Sequence, residues 1–220
     1  MTSDISRPLL QRRHFSALAL TLAATGLARQ AQAQTAERKL MVLGDSLSAE
    51  YGLPRGKGWV TLLGQRLAKR QPPWQVVNAS ISGDTTSGGR SRLPALLRQH
   101  QPRLLIIELG GNDALRGLPV RMTQDNLLEM TRSAQAAGAK VLLLGMRMPP
   151  NFGAEQARAF EQAYAQVARQ TKAALVPFFL AGLADDPDPL RWFQPDRIHP
   201  TEAAQPRMLD NVWPALQALL

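Results

Sequence analysis

The sequence predicts an α/β fold, a three-layer α/β/α sandwich around an open parallel sheet of five strands. Its length of 220 residues suits one domain with a sizeable core, and 45% hydrophobic and 20% charged residues are ordinary for a globular protein. Five short apolar runs alternate with segments in which apolar residues recur at helical spacing. Because the runs lack polar alternation, they indicate strands buried on both faces, as in a parallel sheet covered by helices.

The predicted strands and helices follow one another without a linker or an internal repeat. Each apolar run ends near glycine, proline or a polar turn, which indicates the end of a strand. Apolar residues three or four positions apart predict the helices, and Pro214 is expected to kink the last one. The predicted strands are residues 39–43, 75–79, 103–109, 140–146 and 174–179, and the helical segments are 59–67, 93–97, 127–134, 160–168 and 201–212.

Residues 1–33 predict a secretory signal peptide, which leaves residues 34–220 as a single domain. A basic start precedes a short apolar stretch, and small residues up to Ala33 suit a signal peptidase. The paired Arg12-Arg13 resembles a twin-arginine signal. The alternative is an uncleaved anchor, although the apolar stretch is short for a membrane span. The signal predicts a periplasmic or secreted bacterial protein.

Composition excludes several classes of function. Cysteine is absent, so the chain has no disulfide, no thiolate metal site and no cysteine nucleophile. The formal charge is +9, but lysine and arginine are scattered and only 5% of residues are aromatic, so no nucleic-acid partner is predicted. The basic surface is compatible with transient contact with anionic membranes. Because no phosphate-binding glycine motif follows a strand and metal-binding side chains are few, neither a cofactor nor a metal is expected.

Polar turns that contain glycine follow the first three predicted strands. They are residues 44–48, 78–85 and 110–113, and each combines glycine with serine, aspartate or asparagine. Because the carboxyl ends of parallel strands lie at one edge of the sheet, we expect the three turns to converge. Ligands bind at this edge in open α/β sheets, so the functional site is predicted there.

A single histidine is available to this predicted site. His14 lies in the signal segment, and His100 lies before the third strand, at the opposite edge of the sheet. Only His199 remains, three residues after Asp196 and just before the last helix. A carboxylate at that spacing can hold the imidazole ring, as in a serine hydrolase triad. The alternative is that Asp196 caps the last helix beside a surface histidine.

Four sequence blocks, in order, carry a resemblance to a known family: Gly44-Asp45-Ser46-Leu47, residues 78–85 with Gly83, Gly110-Gly111-Asn112-Asp113, and Asp196 with His199. They resemble the SGNH (GDSL) hydrolases, and most closely the bacterial periplasmic branch of thioesterases, lysophospholipases and arylesterases. The resemblance covers nearly all of the chain after the signal. It implies a flavodoxin-like sandwich with strand order 2-1-3-4-5.

The resemblance also implies a role for each matching residue. Ser46 corresponds to the nucleophile, His199 to its base, and Asp196 to the carboxylate that orients the ring. The backbone N–H groups of Ser46 and Gly83, with the side-chain amide of Asn112, correspond to the oxyanion hole. A small acyl ester, thioester or lysophospholipid is the implied substrate, and we expect a monomer.

The chain after the third turn is predicted to contact the acyl group. Leu115, Leu118 and Val120 are apolar in an otherwise polar segment that matches the family's substrate loop, and Met148 and Phe152 are expected to line the next wall. The alternative is ordinary loop packing.

Two other functions stay open at this point. A carbohydrate acetylesterase has the same constellation, although few aromatic residues are available to stack on sugars. A non-catalytic flavodoxin-like binding protein is the alternative outside enzymes, although no phosphate cradle follows a strand.

Overall fold

The five predicted strands form one parallel sheet with the order 2-1-3-4-5, which confirms the predicted fold class and topology. The structure is a computed structural model that describes residues 38–148 and 153–220; the predicted signal, residues 1–33, lies outside the described residues. The strands are β1 (Arg38–Gly44), β2 (Trp74–Asn78), β3 (Leu104–Glu108), β4 (Lys140–Leu144) and β5 (Ala174–Val176).

Helices cover both faces of this sheet. On one face α2, α4 and α5 pack side by side, and on the other α1 packs against α6. Short 3₁₀ turns at Pro189–Trp192 and Glu202–Ala204 belong to the connection between β5 and α6. The helices are α1 (Trp59–Ala68), α2 (Thr86–His100), α3 (Gly111–Leu115), α4 (Val120–Ala136), α5 (Ala154–Thr171) and α6 (Gln205–Gln217).

Several boundaries differ from those that the sequence pattern predicts. The predicted substrate loop is partly helical, because Leu115 ends α3 and Val120 begins α4. The last α-helix begins at Gln205 and not at residue 201. Its first turn contains a proline, which is tolerated there because N–H groups in the first turn of a helix have no intrahelical acceptor. Pro214 lies inside that helix and does not end it.

The two central strands position the site. In β1 the residues from Leu40 to Leu43 are fully buried, and every residue of β3 is buried, including Glu108. A parallel sheet with buried central strands holds the turns after β1 and β3 next to each other at its carboxyl edge. Within the described residues, no helix is both long and apolar enough to cross a membrane.

Candidate active site

Ser46, His199 and Asp196 form a continuous chain of hydrogen bonds. His199 Nε2 lies 2.8 Å from Ser46 Oγ, and His199 Nδ1 lies 2.6 Å from Asp196 Oδ2. The other oxygen of Asp196 accepts the backbone N–H groups of His199 (3.0 Å) and Ile198 (2.9 Å). These N–H groups, that of His199 first, lower the pKa of Asp196 to about 2. Because an ionised carboxylate only accepts, Nδ1 must donate to it, which leaves Nε2 to accept the Ser46 O–H.

Tyr51 covers the exposed side of the imidazole. Its ring centroid lies 4.2 Å from that of His199, with the two planes tilted by 36°. Gln194 Nε2 donates to the carbonyls of Tyr51 (3.0 Å) and Pro200 (3.2 Å), and so joins the turn after β1 to the turn of His199. Sequence reasoning did not identify Tyr51, because the two segments lie far apart in the chain and no local pattern links them.

The turn that carries Ser46 is held by the buried side chain of Asp45. Asp45 Oδ1 accepts the N–H of Leu47 (3.0 Å), and Oδ2 accepts Asn112 Nδ2 (3.0 Å). Desolvation is the main cause that raises the pKa of Asp45 to about 6. The first helix begins only at Trp59, so Ser46 precedes a turn and not a helix. Its side chain is therefore available to His199.

Glu108, at the end of β3, lies beneath this turn. Its Oε2 accepts the Ser48 hydroxyl (2.7 Å) and the Asp45 N–H (3.3 Å), and Ser48 Oγ in turn accepts the indole N–H of Trp59 (3.2 Å). Its Oε1 has no hydrogen-bond partner among the described residues. Burial raises the pKa of Glu108 well above its usual range. Sequence reasoning missed this residue, although a lone acid in the apolar run that ends at Leu109 was the available signal.

Two backbone N–H groups of the turns after β1 and β2 are free to donate a hydrogen bond within the described residues. The N–H groups of Ser46 and Gly83 have no hydrogen-bond acceptor in the described part of the chain. Gly83 has φ +79°, a conformation that favours glycine, in a turn closed by the Asp84 N–H on the Ile81 carbonyl (3.1 Å). The Gly83 carbonyl, in the next peptide, accepts Arg116 Nη2 (2.7 Å), which ties this turn to the end of α3.

Asn112 lies at the same edge, in the first turn of α3. Both hydrogens of its amide have acceptors, Asp45 Oδ2 and the Asp84 carbonyl, each 3.0 Å from Nδ2. The amide therefore joins the turns after β1 and β2. The neighbouring Asp113 is fully buried and braces α2 and α4, accepting Thr86 N–H (2.9 Å), Thr86 Oγ1 and Thr123 Oγ1 (3.2 Å).

Arg92 on α2 is a further residue that sequence reasoning did not single out. Its Nε lies 2.8 Å from Asp84 Oδ2, and its Nη atoms donate to the carbonyls of Ala79 and Gly44. One side chain thus holds the ends of β1 and β2 together. Among the described residues, no group of three or more histidine and acidic side chains is arranged to hold a metal ion.

A cavity of about 640 Å³ opens beside Ser46 and His199. Leu115 and Met148 line it, whereas Leu118 and Val120 do not. The Leu118 N–H donates to the Asp113 carbonyl (2.9 Å), which turns this segment back, and Val120 packs against the core as α4 begins. Phe152 lies outside the described residues. The apolar part of the lining also includes Leu47, Ala114, Met146, Phe178, Leu180, Ala184, Pro189, Leu190, Phe193 and Ile198.

The fold is an α/β/α sandwich, and a hydrogen-bonded serine, histidine and aspartate lie at the carboxyl edge of its sheet. This combination places the protein in the class of serine hydrolases. Residues 42–206 match the model of the GDSL-like lipase/acylhydrolase family. The chain is 53% identical over 199 residues to esterase TesA of Pseudomonas aeruginosa, covering 90% of this chain and 96% of that protein.

Two further comparisons support membership of the same family. The chain is 43% identical to thioesterase 1/protease 1/lysophospholipase L1 of Escherichia coli K12, covering 82% of this chain and 84% of that protein. A crystal structure of TesA matches with a TM-score of 0.79 and 54% identity, covering 83% of this chain and 100% of that chain. The chain therefore belongs to the GDSL-like lipase/acylhydrolase family, and it is a serine ester hydrolase.

Proposed function

We propose that Ser46 attacks the acyl carbonyl of an ester or thioester and forms an acyl-enzyme. The 2.8 Å contact between His199 Nε2 and Ser46 Oγ carries this proposal, because it lets the imidazole remove the hydroxyl proton. His199 then donates that proton to the departing alcohol or thiol. Water, deprotonated by His199, then attacks the acyl-enzyme; the bond between the acyl carbon and Ser46 Oγ breaks, His199 returns the proton to Oγ, and the carboxylic acid leaves. Asp196 holds the ring and stabilises the imidazolium that forms in both steps.

The tetrahedral oxyanion is proposed to bind the N–H groups of Ser46 and Gly83 and the amide of Asn112. The two backbone groups are suited to this role because they have no acceptor within the described residues. The Asn112 amide must instead share a hydrogen that it now donates to Asp45 or to the Asp84 carbonyl. We therefore expect the backbone pair to form the basic hole, with Asn112 strengthening it as charge develops.

The acyl group is proposed to lie in the cavity beside Ser46. Leu115 and Met148 belong to a lining that is mostly apolar, which suits an alkyl or aryl acyl group better than a sugar. This supports hydrolysis of small acyl esters and thioesters, including lysophospholipids. Residues 34–220 are proposed to be the exported enzyme, released in the periplasm or secreted, and mass spectrometry of the exported protein should find an N-terminus near Gln34.

A phosphonate labelling experiment tests the mechanism. An alkyl phosphonate ester of nitrophenol should inactivate the enzyme with one equivalent bound, and peptide mapping should find the adduct on Ser46. Ser46→Ala should lose activity on nitrophenyl octanoate by roughly 10⁴-fold or more and resist labelling. Ser91→Ala is the control, because Ser91 is an exposed serine on α2 outside the site, and it should keep full activity and full labelling at Ser46. An adduct on another residue, or an active Ser46→Ala enzyme, overturns the proposal.

A further inference from the structure

The two arginines that line the cavity have different surroundings. Arg147 is engaged: its guanidinium lies 3.6 Å from Glu161 and 3.8 Å from Asp185, and its Cζ lies 4.3 Å from the Phe178 ring centroid. The Arg197 guanidinium has neither a hydrogen bond nor an ion pair within the part of the chain that the structure describes. The charge of Arg197 is therefore available to a ligand in the cavity.

The backbone of Arg197 is also unusual. Its φ is 60°, in the left-handed region that residues with a Cβ rarely adopt. Its N–H donates to the Gln194 carbonyl (2.8 Å) and closes the turn that leads to His199. Glycine adopts this conformation without strain. Residues held in strained backbone conformations cluster at ligand sites. Because the Arg197 side chain makes no hydrogen bond or ion pair within the described residues, a role in binding a ligand would account for an arginine at this position.

We propose that Arg197 binds a phosphate on the leaving alcohol or thiol of the substrate. This inference rests on the proposed function, in which His199 donates its proton to the departing oxygen or sulfur. The leaving group must then lie against the turn that carries His199, and Arg197 lies two residues earlier on this turn and lines the same cavity. Arg197 therefore makes acyl esters and thioesters with an anionic leaving group the preferred substrates.

Neither of the neighbouring acids forms an ion pair with Arg197 in the part of the chain that the structure describes. Asp196 accepts the N–H groups of Ile198 and His199 and the His199 ring N–H, so its oxygens are committed. Asp185, which also lines the cavity, accepts the Gly182 N–H (2.6 Å) and lies beside Arg147. Phosphate oxygens match the donors of a guanidinium, and the exposed side chain of Arg197 can reach a ligand without moving the backbone.

Matched substrate pairs test the proposal on the full enzyme. One pair is S-octanoyl-4′-phosphopantetheine and S-octanoylpantetheine, and the other is monooctanoylglycerol phosphate and monooctanoylglycerol, so the members of each pair share their acyl group and differ only in the phosphate. Arg197→Gln should lower kcat/KM for the phosphate-bearing member of at least one pair about three- to tenfold, mainly through KM, and leave the neutral members unchanged. The pair that responds identifies a coenzyme-type or a lipid-type leaving group.

Three controls separate binding from damage. Arg197→Lys should keep most of the preference, because it keeps the charge. Arg197→Gly suits the positive φ, so it should lose the preference with an unchanged or raised Tm. Arg191→Gln should have no effect, because Arg191 pairs with Asp186 (2.9 Å) and does not line the cavity.

Two outcomes overturn the proposal. An equal loss on neutral and phosphate-bearing substrates makes Arg197 a positioning residue for the His199 turn, and no loss on either pair means that it binds no phosphate. Neither outcome affects the proposed function. The proposed function is tested separately, by the loss of activity of Ser46→Ala on the neutral substrates.

Discussion

Carboxyl groups occupy two opposite environments in this active site. Beneath Ser46, Asp45 and Glu108 are 2% and 0% exposed, and desolvation raises the pKa of both. On the histidine turn, the Asp196 side chain is 37% exposed, and N–H donors lower its pKa to about 2. The same functional group is thus pushed toward its neutral form on one side of the nucleophile and toward its ionised form on the other.

The difference separates a structural task from a chemical one. A buried acid that accepts backbone and hydroxyl hydrogens fixes the shape of the turn around Ser46, whether or not it is charged. In the proposed mechanism, Asp196 supports an imidazolium and must be charged throughout the reaction. Its partial exposure to solvent and its two backbone N–H donors keep it ionised. Substitutions that remove charge without changing shape should therefore affect the two environments differently.

The largest effect is expected for Asp196→Asn. The asparagine oxygen can still accept the backbone N–H groups, but its NH₂ would face His199 Nδ1 and force the ring to protonate Nε2, which then cannot accept the Ser46 hydroxyl. We expect kcat to fall roughly 10³- to 10⁴-fold with little change in Tm. Asp125→Asn, on the exposed face of α4, is the control and should keep full activity. Normal turnover by Asp196→Asn would place the chemically essential carboxylate elsewhere.

A smaller effect is expected for Asn112→Ala, since Asn112 lies between the two environments. Loss of the amide should lower kcat roughly 10²- to 10³-fold with KM little changed, as for an oxyanion donor. It should also lower Tm, because Asp45 Oδ2 loses its donor while buried. Asn126→Ala is the matched control: Asn126 is buried and bonded to Thr86, so its loss should lower Tm and spare kcat. If Asn112→Ala behaves like Asn126→Ala, Asn112 is a brace and not an oxyanion donor.

The sequence pattern predicted the sheet and the edge where the polar turns meet, because these follow from local periodicity and from the geometry of parallel strands. The strand order was implied only by the resemblance to the SGNH hydrolases. The sequence pattern also reduced the histidines to His199 by elimination. It could not predict that Glu108 lies under the turn of Ser46. The hydrogen bond between Ser48 and Glu108 joins residues 60 positions apart and depends on how β1 and β3 are aligned. The positions of Leu118 and Val120 likewise depend on where α4 begins, and helix ends are weakly encoded by local pattern.

The smallest effect on activity is expected for Glu108→Gln, which replaces one oxygen of the buried carboxyl group by an NH₂ group. Glu108→Gln keeps an oxygen that accepts the Asp45 N–H and the Ser48 hydroxyl, so kcat at neutral pH and Tm at about pH 4, where the parent side chain is mostly protonated in both states, should stay close to those of the parent enzyme. Glu108→Ala removes the acceptor and leaves a cavity, and should lower the free energy of unfolding by about 2–4 kcal/mol. Thermal and urea unfolding of the two variants measure the difference. Equal destabilisation by both would mean that the charge of Glu108, and not its shape, supports the turn.

The pH dependence of stability tests the protonation state directly. A carboxyl group whose pKa is raised in the folded state stabilises the protein at low pH, and this contribution is lost as pH rises from the unfolded pKa through the folded one. For Asp45 that window runs from 3.8 to about 6, on the order of 3 kcal/mol, and for Glu108 it begins at 4.5 and extends upward from there. Asp196 has the opposite sign, because its lowered pKa makes its contribution disappear only as pH falls from 3.8 toward 2. Asp196 therefore adds no slope to the stability curve between pH 5 and 9.

Urea unfolding between pH 5 and 9 should show the parent enzyme losing stability steadily, while the stability of Glu108→Gln levels off once Asp45 has ionised. Taking the difference between the two curves cancels the titrations of groups that Glu108 does not influence. Parallel curves would mean that Glu108 is ionised throughout and that the buried acid beneath Ser46 is charged like Asp196.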